Sequence, residues 1–466
     1  MTVVYCGVCP HPPIVVPEVG GDEASLVMDT QKALLELGRR LKKSGAETVV
    51  IISPHAPIFR EVVGINMSPL LKGDLGSFRA GNVRYMVEND LDLAREINKQ
   101  AADLGMVVVE LTEEEEKQYG ISLRLDHGVV VPLYFLRKAG LETPLVHVSM
   151  ALREPQKLYL FGVAVRRAAE ALGRRTALLA SGDMSHGLTR DAPSGYMPKG
   201  KDFDSLMVRL LAVPDVEGIV KMDPELVAQA GECGYHSVVM MLGALDGYDV
   251  NAEILSYEGP FGVGYLVASL EPAGANPEKS LLKKMHAAQQ TETLQRRAAE
   301  SYLVKIARNT LESYVSGSAT PALAEAPEEF REKAGVFVSI KKHGNLRGCI
   351  GTTQPTRPNI VEEVGANAIS AGINDPRFEP VSKDELGELE YSVDVLQPPE
   401  AISGLHELDP ARYGVIVRSG RRSGLLLPDL EGIDTPEEQV DIARRKAGIG
   451  PDEPVKLARF EVIRYK

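Results

Sequence analysis

His11 and His55 each sit beside proline at the end of an apolar run, in VVYCGVCPHPPI and ETVVIISPHAPI. Proline cannot donate to a sheet ladder, so each run reads as a buried β-branched strand that stops just short of its histidine. In open α/β sheets the carboxyl edge is where ligands bind, and two imidazoles set there alike could hold a metal ion. The segment Gly231-Glu-Cys-Gly-Tyr-His-Ser237 can complete such a site through Glu232, Cys233 or His236. Two histidines and a carboxylate suit non-haem Fe(II), whereas a cysteine in third place favours copper or zinc. Glu258, in Tyr-Glu-Gly-Pro, is a further option, although an exposed strand-end carboxylate is the simpler reading.

Two more histidines lie in polar, turn-forming surroundings: His127 in Arg-Leu-Asp-His-Gly and His186 in Ser-Gly-Asp-Met-Ser-His-Gly. An imidazole on a loop after a strand, with Asp183 and Ser185 near to orient it, is suited to acid/base work because its ordinary pKa lies near neutrality. His147, inside the apolar run Leu-Val-His-Val-Ser, reads as a core residue. Farther along, Asn345-Leu-Arg-Gly-Cys-Ile-Gly351 places Cys349 between glycines, with Arg347 two residues before it. Glycines admit a close ligand and a guanidinium can activate a thiol, yet a buried strand cysteine fits the same residues equally well. Asn374-Asp-Pro-Arg-Phe378 and Glu390-Tyr-Ser392 could gather round Cys349 into a small charged cleft. Cys6 and Cys9 resemble a redox or zinc pair, but their strand-like setting favours two small buried hydrophobes.

These residues need a scaffold, and 466 residues suggest two or three domains. The hydrophobic fraction of 44% and charged fraction of 25% belong to a globular chain, with no run near the roughly 18 apolar residues of a membrane span. A net charge of -13 argues against nucleic acid as the main partner. Four cysteines are too few for a disulfide scaffold, and no basic segment precedes a long apolar one at the start, so a cytoplasmic setting is expected. To about residue 270, short β-branched runs alternate with amphipathic stretches, which predicts an α/β domain with a mostly parallel central sheet. Strands are expected at 3–8, 48–53, 106–111, 145–149, 176–181 and 262–269, helices at 25–44, 90–104, 156–172, 206–211 and 237–245, and long loops at 73–82 and 191–201. The acidic run 113–116 reads as a solvated loop or helix start. The Pro/Gly/Ala-rich stretch 271–278, followed by a polar helix over 280–312, marks the boundary between a domain at 1–271 and a separate α+β domain at 282–466.

In order, Pro-His-Pro, Ser-Pro-His, Asp-His-Gly, Ser-Gly-Asp-x-Ser-His-Gly and the Glu/Cys segment before Leu-Gly-Ala-Leu resemble the class III extradiol dioxygenase superfamily and its Memo branch. The resemblance covers nearly the whole first domain. It implies that His11, His55 and Glu232 hold Fe(II), with His186 and His127 as acid/base groups beside a small aromatic diol. Memo-type proteins carry cysteine where the dioxygenases have glutamate, so adjacent Glu232 and Cys233 leave the third ligand open, and zinc or copper with it. Leu-Arg-Gly-Cys-Ile-Gly, then Ala-Ile-Ser-Ala, Asp-Pro-Arg-Phe-x-Pro-Val and Leu-Glu-Tyr-Ser-Val-Asp-Val-Leu, resembles the AMMECR domain from about residue 282 onward. The two joined are similar to the arrangement called AmmeMemoRadiSam system protein A, which implies a radical-SAM enzyme as partner. No CxxxCxxC occurs, so iron–sulfur chemistry would belong to another chain. The alternative to an enzyme is a non-catalytic metal-binding adaptor.

Overall fold

The computed structural model describes residues 1–319, 326–342, 344–430 and 432–466. It divides into two compact units, Met1–His286 and Ala287–Lys466. Unit one is built on β1 (Val3–Cys9), β2 (Thr48–Ser53), β3 (Val63–Asn66), β6 (Val108–Leu111), β7 (Leu145–Ser149), β8 (Thr176–Ser181), β9 (Tyr248–Glu258) and β10 (Tyr265–Ala275). They form one sheet in the order β6-β3-β7-β2-β8-β1-β10-β9. β7, β2, β8 and β1 run parallel to one another, and β10 and β9 join antiparallel at one edge.

The central strands are buried throughout because helices cover both faces. One face packs Cys6, Val8, Val50 and Val148 against Phe161, Leu93 and Val239. The other packs Tyr5, Cys9, Val49 and Ile51 against Leu37 and Phe135. Cys6 and Cys9 therefore face opposite layers and share no site, and burial raises both thiols.

Several elements differ from expectation. The stretch 73–82 is no loop: β4 (Leu70–Leu75) and β5 (Ala80–Glu88) form a separate antiparallel hairpin. A Cβ on Gly73 would come within 2.5 Å of the Leu125 carbonyl, so glycine is needed where the hairpin bridges that residue. His127 opens a helix, His127–Lys138, rather than lying in a turn. That helix is buried from Gly128 through Leu136 and contains Pro132, so it has neither an amphipathic period nor a clean helical composition. The stretch 271–278 begins inside β10, which pairs with β9 as far as Ala275. The acidic run at 113–116 forms the first turn of helix Glu113–Tyr119, capped by Thr112 and Glu115.

In unit two the polar helix breaks at Glu300 and Ser301 into Leu281–Ala299, which begins in unit one, and Tyr302–Ser316. A four-stranded antiparallel sheet follows, ordered β12 (Asn345–Thr352), β11 (Val336–Lys342), β13 (Leu389–Leu396) and β18 (Val462–Tyr465). Helices Tyr302–Ser316 and Ile360–Ile373 cover it. A second four-stranded sheet joins β14 (Glu400–Ile402), β17 (Lys456–Phe460), β15 (Gly414–Ser419) and β16 (Arg422–Leu426), with helix Pro436–Lys446 against it. Among the described residues no helix is long and apolar enough to cross a membrane.

Candidate metal centre

β8 lies between β1 and β2, and all three run parallel, so their carboxyl ends open on one edge of the sheet. His11 leaves β1, His55 leaves β2, and Ser181 ends β8 between them. The two imidazoles meet with Nε2 atoms 2.9 Å apart, and Cys233 Sγ is 3.6 Å from His11 Nε2. Ligand atoms of His11, His55 and Cys233 all lie within 4.8 Å of one another, as do those of Asp183, His186 and Cys233.

A crossing of two glycines brings Cys233 there. A Cβ on Gly182, just after β8, would sit 2.1 Å from the Gly234 Cα, so only bare backbone permits the approach. The Asp183 carbonyl accepts the amides of Cys233 and Gly234, and the Asp183 amide donates to Cys233 Sγ at 3.2 Å. The Asp183 carboxylate accepts the His11 amide at 2.9 Å, while burial pushes its pKa up to about 7. Asp183 therefore holds the backbone under His11, and Ser185 donates to the Ala230 carbonyl; neither makes the hydrogen bond to the His186 ring that was expected. His186 Nε2 is buried with no hydrogen-bond partner among the described residues.

Glu232 points elsewhere. Its carboxylate accepts the Tyr235 amide at 2.5 Å, at the start of helix Tyr235–Gly243, and lies outside the histidine and cysteine groups. Burial raises its pKa to about 7 against the pull of the Tyr235 and Gly234 amides. Glu258 likewise accepts the Thr30 amide and hydroxyl near the start of helix Met28–Lys43. His236 is half-buried beside the Tyr235 ring, and burial lowers its pKa.

His127 stacks on His55 with ring centroids 4.2 Å apart and meets His11 edge-on at 5.3 Å. Phe78, between the two hairpin strands, meets His127 edge-on at 5.3 Å. Burial lowers all four imidazoles, and their mutual repulsion adds to this at His11, His127 and His186; His127 falls to about 4. They are uncharged at neutral pH, the form in which imidazole binds a metal ion or accepts a proton. Clustered neutral imidazoles, a thiol and an unpartnered buried nitrogen fit a soft or borderline divalent cation. His147 is buried, with Nε2 3.4 Å from Asp126 Oδ2.

Residues 5–268 match the family described as the catalytic LigB subunit of aromatic ring-opening dioxygenase. The chain belongs to this family. Residues 304–466 match the AMMECR1 family, so a LigB domain precedes a separate AMMECR1 domain. LigB-family dioxygenases use a metal, often Fe(II), and act on small molecules. Protein CA_C1420 of Clostridium acetobutylicum is 42% identical over 462 residues, spanning 98% of both chains. A Thermotoga maritima protein is 52% identical over 167 residues, 35% of this chain and 96% of its own. The uncharacterized protein JW3007 from Escherichia coli K12, of known crystal structure, covers 57% of this chain and 99% of its own at 18% identity and a TM-score of 0.42.

In the AMMECR1 domain two supports for an activated Cys349 are engaged elsewhere. Arg347 makes a paired contact with Glu385, both nitrogens at 3.0 Å from carboxylate oxygens. The flanking glycines serve packing rather than a ligand: a Cβ on Gly348 would lie 2.1 Å from the Ala371 carbonyl, and one on Gly351 2.2 Å from the Phe337 ring. Around Cys349 the fold does gather Ser339, whose hydroxyl donates to Sγ at 3.1 Å, and Asp375, which accepts the Cys349 amide. Arg377 donates to the Cys349 carbonyl, and Ser392 lies opposite Ser339 in the sheet.

Proposed function

We propose that the LigB domain binds a divalent ion, Fe(II), through His11, His55 and Cys233, and acts on a small catechol-type molecule with His186 and His127 handling protons. The convergence of three ligand atoms at the end of three adjacent parallel strands carries this reading. Cys233 replaces Glu232 as third ligand because the carboxylate is committed to backbone amides and the sulfur faces His11. A bound ion would supply Lewis acidity and, as iron, a means of engaging dioxygen. His186, neutral and with a free Nε2, is the group suited to take a phenolic proton. His127, lowered to about 4 and in ring contact with His55 and Phe78, orients the substrate and returns a proton. We further propose a radical-SAM enzyme as partner and a cytoplasmic setting, the first implied by the resemblance of a LigB domain joined to an AMMECR1 domain.

The thiol itself favours a second reading, a zinc or copper holder that serves as an adaptor, because sulfur prefers those ions. Anaerobic Fe(II) loading followed by a panel of catechols in air separates the two. Ring-cleavage absorbance with matching oxygen uptake is expected; stoichiometric metal with neither signal overturns the enzyme. His11→Ala, His55→Ala and Cys233→Ser are each expected to lose stoichiometric metal while Glu232→Gln keeps it. Retention in Cys233→Ser with loss in Glu232→Gln would restore the carboxylate as ligand.

A further inference from the structure

We infer that Ser181 is a positioning residue that locks His11 in its Nδ1–H form, so that the Nε2 lone pair faces the proposed ion. Ser181 Oγ lies 2.5 Å from the Gly128 carbonyl oxygen and 2.8 Å from His11 Nδ1. A carbonyl has no proton, so two oxygens that close need the single serine hydrogen between them. Ser181 Oγ can then only accept from His11, which requires the proton on Nδ1 and leaves Nε2 bare. Ser181 and His11 are both buried, so water does not offer an alternative arrangement.

The anchor reaches the other imidazole as well. Asp126 Oδ1 accepts the Gly128 amide at 2.7 Å, fixing the helix start whose carbonyl orients Ser181. The same oxygen accepts Ser53 Oγ at 2.7 Å, and Ser53 Oγ accepts the His55 amide at 3.2 Å. One carboxylate thus sets the ring of His11 through Gly128 and Ser181, and the main chain of His55 through Ser53. Behind it His147 Nε2 lies 3.4 Å from the remaining Asp126 oxygen, without a hydrogen bond between them, while His147 Nδ1 faces the Asn66 amide, itself oriented by donation to the Leu123 carbonyl. Such outer partners hold metal-binding histidines in one tautomer and orientation.

The inference rests on the proposed metal site for its consequence but not for its geometry, and two measurements keep these apart. In metal-free whole chain labelled with 15N-histidine, His11, assigned by its loss in His11→Asn, should show a protonated Nδ1 and an unprotonated Nε2. A protonated Nε2 in the unaltered protein overturns the inference whatever the metal does. In Ser181→Ala the Nδ1 preference should be lost and affinity for Fe(II) or Zn(II) should fall roughly 10–100-fold, with Ser181→Thr recovering most of it. Unchanged affinity in a folded Ser181→Ala protein also overturns it. If the unaltered chain binds neither ion, the proposed function fails and the tautomer result alone decides the role of Ser181.

Discussion

Cys233 carries the proton ledger of the site. Burial first and the Asp183 carboxylate second push its thiol well above the ordinary range, so it is protonated in the metal-free protein at neutral pH. The imidazoles, lowered by burial, have no proton to give up there. Each ion bound as the thiolate complex should therefore release close to one proton, measurable by calorimetry in buffers of different ionisation enthalpy. Release of two or more would show that the imidazoles begin charged. Glu232→Gln should cost about 1 kcal/mol of stability through its weakened hold on the following helix. Asp204 offers a pH test at a residue outside the proposed ligands. Fully buried, it accepts the Ser185 amide and the Tyr257 hydroxyl, and burial raises its pKa to about 6. Between its unfolded value near 4 and about 6, the folded state holds more protons, so this group's contribution falls as pH rises, by up to ~3 kcal/mol. Urea unfolding of Asp204→Asn against the unaltered chain should show a flatter profile from pH 4 to 6; identical slopes would refute the assignment.

At the level of elements, the site depends on where strands stop and on two loops that touch. Gly182→Ala would drive a methyl group into the Gly234 backbone, and we expect loss of stoichiometric metal together with a stability loss of roughly 1–3 kcal/mol. Metal analysis and thermal unfolding of that one variant check both. β1, β2, β7 and β8 were legible because strands buried on both faces write themselves as short, near-continuous apolar runs, and the prolines after β1 and β2 marked their ends. Helix His127–Lys138 was not, since a segment buried all round has no polar stripe and Pro132 argues against it locally. The hairpin was hidden by Gly73 and Gly76, which resemble loop residues but pack against Leu125 and the Asp74 side chain. Ser181 was missed because its role depends on the Gly128 carbonyl, which arrives from 53 positions away. Arg347 and Cys349 stood out by type and spacing, yet only the fold reveals Glu385 holding the guanidinium and Ala371 filling the space at Gly348.

For the whole molecule, the proposed ligands His11, His55 and Cys233 all fall within the unit Met1–His286. A chain ending there should bind the same number of ions per molecule as the full protein, and failure to do so would mean that the AMMECR1 domain contributes to the site. The imidazole of His11 and the sulfur of Cys233 are 222 positions apart, and β8 must already lie between β1 and β2 before they can face each other. A cation can therefore clasp this site only after the successive parallel crossovers have closed, late in the formation of the unit. It should act as a latch and not as a seed: adding it would slow unfolding many-fold in stopped-flow traces while the refolding rate stays where it was.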